Sequence, residues 1–162
     1  MDKYLELYER NKMLDNMFYS KYSSDKELYE KNCLELIVEL GELANESRCF
    51  KYWSIKKPNR ELVLEEFADC LLMCLYFFNE YNINNVRQLS LNFSDNILVI
   101  FNELIRMCTL LMNRDNVDEM LLLEIFYKLL HLGKLLDFSD NEIINMCYKK
   151  IEKNEERLNS DY

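Results

Sequence analysis

Four glutamates, Glu35, Glu39, Glu42 and Glu46, recur at steps of four, three and four. At 3.6 residues per turn this spacing lines them up as one acidic stripe on a helix. Like charges one turn apart repel and weaken the helix that carries them, so such a stripe needs solvent, basic partners or a bound cation. A second acidic group follows in Glu65, Glu66 and Asp69, of which Glu66 and Asp69 share a face and Asp69 lies beside an apolar run. If the two helices pack antiparallel, the pairs Glu39–Glu42 and Glu66–Asp69 converge. Four hard oxygen donors at one point suit magnesium, with manganese as the alternative, because these ions prefer carboxylates, water and substrate phosphates. Such a centre polarises a phosphoryl oxygen, activates water and neutralises charge on a phosphate leaving group. Acidic pairs at this spacing also decorate many solvated faces, so the surroundings must decide. Glu35, one turn outside the paired motif, is expected to be dispensable.

The elements that would position these groups are helices. Leu5, Tyr8, Leu14 and Phe18 at helical spacing mark a first helix over 2–20. Ser24 with Glu27 forms a capping-box pattern, predicting a second helix that runs to about Glu46. The stretch 47–60 breaks the pattern and contains the lone Pro. A third helix is predicted at 61–81, an Asn-rich connector at 82–94, and further helices at 95–113 and 117–132. Ser139 with Glu142 makes a second capping box, opening a last helix to about 158. No Gly-, Ser- or Pro-rich linker interrupts the chain, so residues 1–162 are expected to form a single all-α domain, a compact bundle of five to six helices.

Composition supports this and excludes several classes. With 2 Gly and 1 Pro in 162 residues there are too few turn residues for an all-β fold or a Gly-rich phosphate loop. Neither GxGxxG nor GxxxxGK[ST] occurs. A formal net charge of −9 argues against nucleic acid as a partner, and a chain this acidic needs a divalent ion to handle a polyanionic substrate. The six cysteines form no CxxC pair and predict reduced, mostly buried thiols, as in a cytoplasmic protein. The N-terminal MDKYLELYER has no apolar core of a signal peptide, and no run of eighteen apolar residues predicts a membrane span.

Around the carboxylates, "ELGELANESRCFKYWS" followed by "LEEFADCL" resembles the all-α nucleoside triphosphate pyrophosphatase superfamily, which includes MazG-type enzymes and the dimeric dUTPases. That superfamily carries ExxE, a spacer and ExxD; here 23 residues separate Glu42 from Glu66. The "CFKYWS" loop and the tail "LGKLLDFSDNEIINMCYKKIEKNEERLNSDY" look like the dUTPase branch of Gram-positive bacteria and their phages. The resemblance implies that Glu39, Glu42, Glu66 and Asp69 hold magnesium and do the catalysis, Glu39 also orienting or deprotonating the attacking water. It implies that Lys51 and Trp53 help build the substrate pocket and that Lys150, Asn154 and Arg157 meet the phosphates. Asn11 stands where relatives commonly carry the Gln that reads uracil, and Asp15 matches a recurring Asp without an assigned role. The implied activity is hydrolysis of dUTP, and also dUDP, to dUMP, by a homodimer whose interface the apolar 95–132 stretch could supply. The alternatives are a MazG-like or dCTP pyrophosphatase of other base specificity, or a non-catalytic helical interaction protein.

Overall fold

The computed structural model describes residues 2–83 and 91–160; part of the expected 82–94 connector lies outside them. Among the described residues there are six α-helices and no strand: α1 (Asp2–Tyr22), α2 (Leu28–Ser47), α3 (Arg60–Glu80), α4 (Ile97–Leu110), α5 (Glu119–Leu135) and α6 (Asp140–Asn159). A short 3-10 turn, Arg114–Asn116, separates α4 from α5. The all-α bundle expected from the sequence is the fold observed.

Helix α3 is the axis of the bundle. It packs against α1, α2, α5 and α6, and residues on most of its circumference, from Val63 to Phe78, are buried. A helix apolar nearly all round belongs in a core, and beyond its acidic start α3 is such a helix. Helix α2 runs antiparallel to it. Tyr29 at the start of α2 packs edge-on against Phe77 and hydrogen-bonds Tyr81 at 2.8 Å, both at the far end of α3. The other end of α2 then necessarily meets the beginning of α3. Gly133 lets α5 approach closely: a Cβ there would come within 2.9 Å of Phe67 Cζ and 3.0 Å of Ile143 Cδ1.

The two predicted caps fared differently. The Ser139 hydroxyl accepts from the Glu142 amide while Glu142 accepts from the Ser139 amide, a complete capping box. Glu142 also pairs with Arg60 at 2.7 Å, and Arg60 donates to the Asp137 carbonyl, clamping the start of α3 to the start of α6. The Ser24–Glu27 box does not form. Helix α2 starts later, with Glu27 as a cap lacking any side-chain bond. Asp25 organises that turn instead, accepting from the Glu27 amide at 2.9 Å and from Lys31 at 2.6 Å.

Candidate active site

The packing of α2 on α3 turns a periodic stripe into a site. Leu36, Leu40 and Leu43 of α2 are fully buried, which fixes the helix rotation and leaves Glu35, Glu39 and Glu42 along the edge facing α3. Carboxylate oxygens of Glu39, Glu42 and Glu66 lie within 4.8 Å of one another. Octahedral magnesium with bonds of about 2.1 Å spans about 4.2 Å between opposite oxygens, so modest rotamer adjustment brings this set to coordination distance. The donors are all hard oxygens, without His or Cys, which fits magnesium or manganese and not zinc.

Asp69 stands beside this trio but is engaged elsewhere. Its Oδ2 is 2.6 Å from Lys150 Nζ of α6, which also contacts Glu65 at 3.1 Å. Lys153 contacts Glu65 at 3.3 Å. Lysine from α6 thus partly neutralises the acidic start of α3. Burial works to lower the Lys150 pKa, and its bonds to Asp69 and Glu65 outweigh this and raise it. The remaining negative charge is visible in the carboxyl groups. Burial, then Asp69, Glu42, Glu66 and Glu35, push Glu39 up to about 7. Glu66 is raised by burial and by Asp69 and Glu42. Asp69 itself is raised because burial outweighs its bond to Lys150. Carboxylates crowded in this way hold a proton or a cation.

Glu35 is the residue that spacing alone placed outside the site. Its side chain keeps a solvent-exposed surface, yet its carboxyl is raised first by desolvation among its neighbours and then by Asp69, and it lines a cavity between α1, α2, α3 and α6. The far wall of this cavity is aromatic, with Phe18, Tyr19, Tyr22 and Tyr76, and its polar groups are Asn11, Asp15, Asn32 and Asn154. Asn11 is 3% exposed, yet it lines the cavity and donates through Nδ2 to the Leu72 carbonyl at 3.2 Å and to Asp15 at 3.2 Å. A largely apolar cavity with a few fixed polar groups has the usual form of a small-molecule site.

The structure therefore gathers Glu39, Glu42, Glu66, Asp69 and Lys150 in one cluster, and Asn11 and Asn154 in the adjoining cavity. It does not bring in Lys51 and Trp53. Trp53 is 64% exposed, edge-on to Phe50 and Tyr52, and neither it nor Lys51 lines the cavity. Their loop is shaped by Arg48, whose left-handed backbone ends α2 and whose side chain donates to the Lys56 carbonyl and Ser54 hydroxyl. Arg157 sits at the exposed end of α6, 3.4 Å from Asn154 Oδ1. Sequence reasoning left Glu35, Asp15 and the aromatic wall without roles. The available signal was Asn11 and Asp15 one turn apart beside the buried Leu14, polar groups on an inward face.

Fold and cluster together describe an all-α protein with a group of carboxylates on α2 and α3 and an aromatic-walled cavity beside Glu35. The family model described as dUTPase matches residues 3–162, nearly the whole chain, and the chain belongs to that family. No curated protein and no solved structure gives a match.

Proposed function

We propose that this protein is a divalent-metal-dependent dUTP diphosphatase, converting dUTP to dUMP and pyrophosphate and also accepting dUDP. The observation that carries this reading is the convergence of Glu39, Glu42 and Glu66, the first of them one turn along α2 from Glu35, which lines the cavity that holds Asn11. Glu39, Glu42 and Glu66, joined by Asp69, would hold magnesium, or manganese in its place. The bound ion would supply charge neutralisation on the phosphates and polarisation of the phosphoryl oxygen under attack. Glu39, already surrounded by carboxylates, orients the attacking water and draws its proton. Lys150, Asn154 and Arg157 lie along α6, a helix face suited to the phosphate chain, where cationic groups stabilise charge on the departing end. Asn11 addresses the base, and the Phe18–Tyr22 and Tyr76 rings enclose the nucleoside.

The exposed apolar side chains Leu98, Val99, Leu110 and Met112, on and just beyond α4, offer a face for a homodimer. All six cysteines are unpaired, which suits a cytoplasmic setting. The test is a turnover panel of the common deoxy- and ribonucleoside triphosphates with magnesium, with products resolved by chromatography. dUTP should be the preferred substrate, giving dUMP and pyrophosphate, with no turnover in EDTA. Preference for dCTP or a ribonucleotide, or metal-independent turnover, would sink the proposal.

A further inference from the structure

Asn11 alone does not decide which base it accepts. A side-chain amide carries both a donor and an acceptor, and rotation by a half-turn about its last bond exchanges them. In this structure the rotation is blocked. One face of the amide meets the Leu72 backbone carbonyl of α3, 3.2 Å from Nδ2, and another meets the Asp15 carboxyl, 3.2 and 3.4 Å from the same nitrogen. Both neighbours are acceptors, so only the NH2 group can face them. Asp15 is itself held by a hydrogen bond from Asn79 of α3. It retains an oxygen able to accept from Asn11 whether or not it is protonated.

We infer that Asp15 is a positioning residue for base selection: with Leu72 it occupies both N–H groups of Asn11, leaving Oδ1 as the group that the amide turns to a base in the cavity. This deepens, and rests on, the proposal that the cavity receives the base of a pyrimidine nucleotide. An oxygen opposite ring position 3 accepts the N3–H of uracil or thymine. Cytosine presents a lone pair at that position, and two acceptors then face each other without a proton between them. Discrimination therefore arises from a repulsive contact as much as from an attractive one. A freely rotating amide would accept either base, because it could offer NH2 to cytosine N3. The chain Asn79–Asp15–Asn11 removes that freedom.

The test compares kcat and KM for dUTP and dCTP in the full-length wild-type chain, Asp15→Ala, Asp15→Leu and Asp15→Asn, each with magnesium. Alanine and leucine both remove the acceptor, leucine keeping more of the volume, so one folded variant suffices; circular dichroism shows which is folded. The wild type should favour dUTP, and the acceptor-free variants should lose about tenfold or more of the dUTP-to-dCTP ratio in kcat/KM, carried mainly by KM. Asp15→Asn restores an acceptor through its amide oxygen and should recover most of the ratio. Equal loss toward both nucleotides, with the ratio unchanged, would mean that Asp15 only supports the fold, and would overturn the inference while leaving the proposed function standing. A wild-type chain that turned over dUTP and dCTP equally, or neither, would overturn the base-reading cavity itself.

Discussion

Without divalent ions, the protein should become less stable as pH rises from 5 to 8, and the reason lies in carboxyl groups held where ionisation is unfavourable. Burial pushes Asp15 from 3.8 up to about 7, Asn79 opposing it only in part. Burial and neighbouring carboxylates push Glu39 from 4.5 up to about 7, and Glu35, Glu66 and Asp69 move in the same direction. For an acid with a raised folded-state pKa, the native chain binds more protons than the unfolded one between the two pKa values. Unfolding free energy therefore falls with rising pH through roughly pH 4–7 and is flat above it. Carboxyls of depressed pKa, such as Glu142 at about 2 and Glu65, lose their contribution only at more acid pH, so they do not confuse this window. One pKa unit is about 1.4 kcal/mol, which caps the Asp15 contribution at about 4 kcal/mol; allowing for local relaxation and water, about 2 kcal/mol is expected. At this chain length that corresponds to about 5 °C in Tm. Thermal unfolding followed by circular dichroism in EDTA at pH 5 and pH 8 measures the effect. Asp15→Asn should raise Tm at pH 8 and leave it nearly unchanged at pH 5, and magnesium should stabilise the wild type more at pH 8 than at pH 5. A Tm in EDTA that is equal or higher at pH 8, or an Asp15→Asn variant with wild-type pH dependence, would refute the reasoning.

Three other perturbations separate the parts of the site. Glu42→Gln takes one oxygen donor from the trio and should cost about a hundredfold in turnover, whereas Glu35→Gln, at the cavity edge, should raise KM several-fold, about three to ten times, with kcat largely spared; steady-state kinetics on dUTP distinguishes them, and an equal loss of turnover in both would contradict the assignment of ligands. Lys150→Gln leaves Asp69 and Glu65 without their shared cation, and should destabilise the metal-free protein by about 2 kcal/mol at pH 7.5, less at pH 5.5, where Asp69 takes up a proton instead; denaturant titration at the two pH values reads this. Gly41 has nothing within 4 Å of an added Cβ and Gly133 has Phe67 at 2.9 Å, so Gly41→Ala should gain up to about 1 kcal/mol of stability and Gly133→Ala should lose about 1–2 kcal/mol, measured by the same titration.

The fold class was legible because α3 and the capping box at Ser139 are local signals that tertiary packing reinforces. The start of α2 was misread because Ser24 and Glu27 have the right spacing, but Asp25 competes for the same turn and holds both the Glu27 amide and Lys31. Convergence of the two acidic groups was readable, since positions three and four apart share a helix face and a short loop between helices favours antiparallel neighbours. The place of Glu35 on a cavity wall was not readable. Its neighbours in sequence look like the rest of the stripe, and only the packing of α1 beside α2 and α3 makes it part of a cavity wall. The cavity is likewise made by side chains from α1, α2, α3 and α6, which no local pattern connects.

The acidic cluster is a violation of what each helix would choose alone. Carboxylates one turn apart weaken α2, and partial burial raises the cost of charging them. The structure sustains this because the neighbouring residues are among its best packed. Leu36, Leu40 and Leu43 on α2 and Phe67, Cys70 and Leu71 on α3 are fully buried beside the carboxylates, and Arg60, Glu142 and Asp137 clamp the start of α3 onto α6. With the backbones so fixed, the glutamates cannot relieve their repulsion by moving apart; they can only bind protons, Lys150 or a cation. Local frustration held by a rigid surround is the usual condition of a functional site. Here it makes the cluster's charge, and not its flexibility, the property that ligand binding must satisfy.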